Sequence, residues 1–388
     1  MSAPFDDVSV ERLRRRRTVK WTLYGPDVLA AWVAEMDFDV APAVRAAILD
    51  AVDREDFGYV EADLGALTTA CAAFIEAQYG WVVPPARIFP VADVLSAIST
   101  ALNVFVEPGS GVVVPTPAYP PFFEVVELTG RPVVESPMIR AADRDTLDLD
   151  SIDAALAGGA RAVLLCSPHN PTGRVFTIEE LGALAAIVDR HGARVVADEV
   201  HAPLVYSGHD YVPYATLSDA TAAHTLTVTS ASKAFNLAGL KCAQVVASNH
   251  ADAARWRELR VFEVAGPTPI GIAASVAAYR DSGVWLRALV TYLDGNRRYL
   301  GELLAANVPA ISFRPPESTF LSWLDCSGLG LDDPARFFLD HARVAVSDGP
   351  PFGTGCDQHV RLNFATSRAL LEQIVTAMGG AVSVRMRT

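Results

Sequence analysis

The sequence predicts an α/β protein built on a mostly parallel mixed sheet covered by helices, with a smaller α+β part, and three observations carry that expectation. Between about residues 85 and 250, short β-branched apolar runs alternate with longer segments of helical period. The runs are nearly continuous in Val and Leu rather than alternating, as befits strands covered on both faces. Beyond about residue 280 the pattern changes to one long helical stretch followed by shorter strand-like runs.

In chain order, the expected strands of the large sheet are Gly111–Pro115, Arg161–Ser167, Arg194–Asp198, Thr225–Thr229 and Ala243–Ala247. Val94–Phe105 and Ile178–His191 carry apolar residues at helical spacing, and Thr177 with Glu180 forms a capping box at the start of the second. Val284–Ala306 reads as a long helix, followed by strands around Ile311, Phe320–Leu324 and Val360–Phe364. At roughly 150 residues per domain, a chain of 388 residues makes two or three units. The expected division is an arm and part of the small domain in 1–40, the large domain in 41–283 and the small C-terminal domain in 284–388.

Composition narrows the function. A net charge of −13 argues against broad nucleic-acid binding, which draws its affinity from cations that neutralise phosphates. The one basic run, Arg14 to Arg17, is followed by Trp21, Tyr24, Gly25 and Pro26 rather than by the apolar segment of an export signal, and reads as a solvated arm. Cys71, Cys166, Cys242, Cys326 and Cys356 are widely spaced and odd in number, without the short paired spacing of a zinc or redox site. Buried thiols in a reducing cytoplasm are expected. No apolar run approaches the roughly 20 residues that span a bilayer, so no membrane association is expected.

Ligands of open α/β sheets bind beyond the carboxyl ends of the strands, so the polar residues that follow each apolar run are the candidates. Asp198 ends one run, where desolvation of its carboxylate calls for a cationic partner. Asn170 sits in the turn-rich Ser167-Pro168-His169-Asn170-Pro171-Thr172-Gly173. Lys233 follows Ser230-Ala231-Ser232 and precedes Ala234, Phe235 and Leu237, apolar neighbours that disfavour its ammonium and make it a usable amine nucleophile and base. Taken singly, these three also read as a helix N-cap, a turn residue and a surface charge. Together, a Schiff-base lysine with an acid on the neighbouring strand is the arrangement that pairs with a pyridinium nitrogen in pyridoxal phosphate (PLP) sites.

These residues resemble the fold-type I PLP enzymes, the class I and II aminotransferase superfamily, through Asn170-Pro171-Thr172-Gly173, Asp198 and Ser230-Ala231-Ser232-Lys233, with Lys241 where that family places a basic phosphate ligand. The closer resemblance is to cystathionine beta-lyases of the MalY/PatB type. It rests on Lys20-Trp21 with Trp32-Val33-Ala34-Glu35-Met36-Asp37-Phe38, on the asparagine loop through Val175, on Asp198-Glu199-Val200-His201 with Tyr206-Ser207-Gly208-His209, and on Phe235-Asn236-Leu237-Ala238-Gly239.

The resemblance implies an aspartate aminotransferase-like fold whose large domain binds PLP. It makes Lys233 the catalytic Schiff-base residue and Asp198 the partner of the ring nitrogen. Asn170 and His201 would lie near the cofactor's phenolic oxygen, and Tyr119 would stack on its ring. Ser230, Lys241 and the N–H groups of Val94 and Leu95 would hold the phosphate, joined by Tyr59 from a second subunit of a homodimer with shared sites, and Ser232 would be a further cofactor-binding residue. Arg361 would bind the α-carboxylate of an amino-acid substrate beside Ala34. Asp93 departs from the pattern, standing where a glycine is expected. The implied reaction is β-elimination from L-cystathionine or a related L-cysteine S-conjugate; an aminotransferase and a regulatory protein on the same fold are the alternatives.

Overall fold

The computed structural model describes residues 5–61, 63–141 and 144–386. The chain divides into two compact units. The larger comprises residues 40–169 and 174–286; the smaller comprises the N-terminal segment to Asp39, the short segment Asn170–Gly173 and Arg287 onward.

The larger unit is built on seven strands: β1 (Ile88–Val91), β2 (Val112–Thr116), β3 (Val133–Pro137), β4 (Ala162–Cys166), β5 (Arg194–Asp198), β6 (Thr225–Thr229) and β7 (Ala243–Ala247). They lie in the order β1-β7-β6-β5-β4-β2-β3. From β3 to β6 every pairing is parallel, whereas β7 runs antiparallel to both of its neighbours. Register puts Cys166 beside Asp198 and Asp198 beside Val228, so the ends of β4, β5 and β6 are level. One core layer includes Val114, Leu164, Val196 and Val228, and the other Val163, Leu165, Val195 and Ala197, so successive residues of these strands enter opposite layers. The expected mostly parallel mixed sheet is therefore present.

Two strands of this sheet escaped the sequence pattern, and both are edges. β1 contains Pro90 and β3 ends at Pro137; proline cannot donate to a ladder, which hides a strand from pattern reading yet is tolerated at a sheet edge. Helix α1 (Val94–Phe105) has the expected bounds, and α2 (Ile178–Arg190) begins at the expected capping box, where the Thr177 N–H reaches Glu180 (2.8 Å) and the Glu180 N–H reaches Thr177 (3.2 Å).

In the smaller unit, β8 (Ser312–Phe313), β9 (Leu321–Asp325), β10 (Ser347–Asp348) and β11 (His359–Asn363) form an antiparallel sheet in the order β8-β9-β11-β10. The N-terminal segment is tied to this sheet. Asn363 donates its side-chain amide to the carbonyls of Val33 and Glu35 (both 2.7 Å), and Asp37 donates its N–H to Ala365 (2.9 Å). A solvated arm at Arg14–Arg17 does not describe Arg16, which is half-buried and donates to the carbonyls of Met36, Asp37 and Phe38. All five cysteines are buried, and none is in a disulfide. Among the described residues, no helix is long and apolar enough to cross a membrane.

Candidate active site

In the larger unit the chemistry gathers at the carboxyl ends of β5 and β6. Asp198 closes β5, is 4% exposed, and accepts the Val200 N–H at 3.1 Å. Burial pushes its carboxyl up to about 6, against the pull of that N–H and of the nearby Lys233 ammonium. Glu199 beside it is equally buried and is pushed up to about 7, although the Tyr211 side chain and the Tyr214 N–H (2.9 Å) favour its charge.

Lys233 belongs to a short helix, Ala231–Ala234, that starts directly after β6 with Ser230 as its N-cap. The lysine is half-buried beside buried Ala234, Phe235 and Leu237. Phe235 is fixed in turn by Trp285 and Phe74, with ring centroids at 6.1 and 6.2 Å. The Ser230 hydroxyl accepts from the Ser232 N–H (3.0 Å) and donates to the Cys242 carbonyl (2.7 Å), so its proton is already engaged. His201 is buried after β5, and His169 is buried with burial pushing its imidazole down to about 3, a neutral ring.

Lys241 and Asp93 meet in the same unit. The Lys241 ammonium lies 2.8 Å from Asp93 Oδ2, while Asp93 Oδ1 accepts the Ser96 N–H (2.8 Å) and so caps α1. The first N–H groups of α1, those of Val94 and Leu95, have no acceptor within the helix, and the helix dipole makes that end favourable to anions. Tyr119 is half-buried and meets Phe122 edge-on at 5.6 Å. Tyr59 is fully exposed, which removes a core role for it, and Phe57, Leu49 and Val52 are exposed in the same unit.

In the smaller unit the central residue is Arg361 on β11. Its neighbours Val360 and Leu362 face the core as alternation requires, and Arg361, though 5% exposed, faces a polar set. Its guanidinium donates to Asn170 Oδ1 (3.0 Å), to the Trp32 carbonyl (3.2 Å) and to the Ser347 hydroxyl (3.2 Å), and stacks on Phe352 at 5.0 Å. The segment carrying Asn170 is anchored through Gly173, whose carbonyl accepts from Glu317 and Ser318. Gly173 has φ +72, and a Cβ there would meet Pro316 at 2.3 Å, so glycine is required on both counts. Ala34 lies between the two carbonyls that Asn363 grips.

A model of the aminotransferase class I and II family matches residues 32–378. The chain belongs to that family. A cystathionine beta-lyase of Corynebacterium glutamicum is 39% identical to this aminotransferase-family chain, over 94% of the chain and 96% of that protein. The cystathionine beta-lyase PatB of Bacillus subtilis is 32% identical over 97% and 99%. The solved structure of a PLP-bound C-S lyase from Staphylococcus hominis superimposes with a TM-score of 0.90 at 26% identity, covering 97% of the chain and 98% of that one.

Sequence reasoning missed several contacts around these residues. Trp32 and Ser347 hold Arg361 through a backbone carbonyl and a hydroxyl, and neither contact leaves a mark in the residue pattern. Buried Lys20 pairs with Asp37 at 2.8 Å, reaches the Glu35 carbonyl (2.9 Å), and shares Asp37 with the Trp21 indole (2.9 Å). The N-terminal signature contains these residues, but the residue pattern does not show that its charged members bind each other.

Proposed function

We propose that this chain is a PLP-dependent carbon–sulfur β-lyase that converts L-cystathionine or a related L-cysteine S-conjugate to a thiol, pyruvate and ammonia. The observation that carries the reading is the buried carboxylate of Asp198 within electrostatic reach of the Lys233 amine, at the level ends of adjacent parallel strands. The names of the relatives favour lyase chemistry.

The residues present fit the cofactor. A carboxylate this buried is costly to ionise unless a cation lies against it, and a protonated ring nitrogen is such a cation. Lys241 and the N–H groups of Val94 and Leu95 suit the phosphate; the engaged proton of Ser230 makes its hydroxyl a support for Lys233's helix before it is a phosphate donor. Ser232 neighbours that corner, His201 and Tyr119 are assigned to the ring, and Asn170, whose amide oxygen is committed to Arg361, presents its N–H₂ to an anionic oxygen. When bound, PLP supplies the electron sink that accepts the pair left on Cα.

The protein's own contribution is then acid–base work and orientation. Lys233 holds the carbonyl-reactive amine and, once displaced by the substrate amine, takes the Cα proton on Nζ. Asp198 keeps a proton on the ring nitrogen. Arg361 grips the substrate α-carboxylate in bidentate fashion, oriented by Trp32, Ser347 and Phe352, with Ala34 alongside. Cleavage of the Cβ–S bond releases the thiolate, and water completes pyruvate and ammonia.

We assign the two units to a cofactor-binding large domain and a small domain, divided as 41–283 and 284–388 with residues 1–40. The exposed apolar set of Leu49, Val52, Phe57 and Tyr59 supports a homodimer in which Tyr59 serves the partner's phosphate corner. Five buried thiols, none in a disulfide, support a cytoplasmic location.

Purified enzyme incubated with cystathionine and no keto acid yields pyruvate; none above the Lys233→Ala background rejects the lyase. Amino-group transfer to a keto acid without pyruvate release would establish the aminotransferase reading, which the family's name favours.

A further inference from the structure

Asp93 does two things at once. Its Oδ1 caps α1 by accepting the Ser96 N–H, and Ser96 returns its hydroxyl to the Asp93 backbone, so the carboxylate is fixed in place. Its Oδ2 is 2.8 Å from the Lys241 ammonium. The lysine's backbone is held as well: it sits at φ +53, its carbonyl accepts the Thr268 N–H at 3.0 Å, and the Thr268 hydroxyl donates to the Leu240 carbonyl. Capping alone does not call for a charge, because Asn and Ser cap a helix about as well as Asp. What an aspartate adds is a negative charge against the one ammonium assigned to the phosphate.

We propose that Asp93 is a tuning residue of the phosphate corner: by pairing with Lys241 it offsets the lysine's charge and weakens the hold on a phosphate monoester. The inference rests on the reading that this corner takes the 5′-phosphate of PLP. A phosphate there meets the α1 N-terminus and a lysine already shared with a carboxylate, and like charges at this range repel. The Lys241 and Ser96 contacts hold the Asp93 carboxyl below its usual range despite half-burial, so its charge persists at neutral pH.

The test compares wild type with Asp93→Asn, which keeps the cap and removes the charge. The full chain, freed of cofactor, is titrated with PLP and separately with pyridoxal, which lacks the phosphate, following the absorption band. Asp93→Asn is expected to bind PLP about tenfold more tightly, equivalent to about 1.4 kcal/mol, with pyridoxal affinity unchanged. The gap should narrow at 1 M salt, where screening acts over about 3 Å, and vanish when Lys241→Met is added to both chains. Equal or weaker PLP binding by Asp93→Asn, with its melting temperature held, overturns the proposal and leaves Asp93 a cap. A parallel gain for pyridoxal overturns it too, since the phosphate would not be what Asp93 senses. If wild type binds neither compound, the cofactor reading itself fails and takes this inference with it.

Discussion

The two units both bury charged groups, and they satisfy them differently. In the smaller unit Arg361 has an amide oxygen, a carbonyl, a hydroxyl and an aromatic face, and Lys20 has both a carboxylate and a carbonyl. In the larger unit Asp198 and Glu199 are also buried, yet their local partners are too few to offset desolvation, and the two carboxyls are pushed up to about 6 and about 7. Charge met by several partners builds a rigid frame. Undersatisfied charge marks where a cation or a proton transfer belongs.

The sharpest way to break this contrast is to remove the amine that faces the undersatisfied acid. Lys233→Ala should lower pyruvate formation about 10³-fold or more and abolish the borohydride-bleachable yellow band; a variant that keeps either would place the chemistry elsewhere. Next is the frame. Asp37→Asn leaves the buried Lys20 ammonium uncompensated, at a cost of about 3–5 kcal/mol in unfolding free energy by urea titration. A loss below about 1 kcal/mol would mean that the pair is not the anchor it looks to be.

The third effect lies in the acids themselves. Glu199 has its folded pKa raised from 4.5 to about 7, so the folded chain retains a proton that the unfolded chain releases. Its contribution is fully present below about pH 4.5 and is lost as pH rises toward 7. Glu199→Gln should therefore reduce the stability difference between pH 4.5 and 8 by about 3 kcal/mol, measured on the chain without cofactor; an unaltered difference would show that Glu199 titrates alike in the folded and unfolded chain. The smallest effect is Arg361→Lys. A point charge cannot reproduce the planar fork, so KM should rise about 30-fold, about 2 kcal/mol, with the absorption band intact; loss of the band instead would move Arg361 from substrate to cofactor.

How much could be read beforehand follows the same division. Asp198 was legible because it ends a continuous apolar run, where a polar residue has no packing reason to stand, and Lys233 because it comes four residues after the next strand and is followed by apolar Ala234, Phe235 and Leu237. Helix α1 and the capping box at Thr177 were legible from periodicity and cap chemistry. The frame of the smaller unit was not, because Arg361, Asn363 and Lys20 are held by the carbonyls of Trp32, Val33 and Glu35, and any residue supplies a carbonyl. Asp93 stood out as a departure, but its pairing with Lys241 depends on β1 and β7 being neighbours, and proline-bearing β1 was invisible.

The reversed direction of β7 has one more consequence. Because β6 leaves the sheet at its carboxyl end and β7 re-enters at that same end, residues 230–242 form a single excursion that never crosses the sheet. Both amines, at 233 and 241, ride on it. Insertions or deletions accumulating in the helices that link the parallel strands would leave the separation of the two amines unchanged, so this stretch can be inherited as a unit while its surroundings drift.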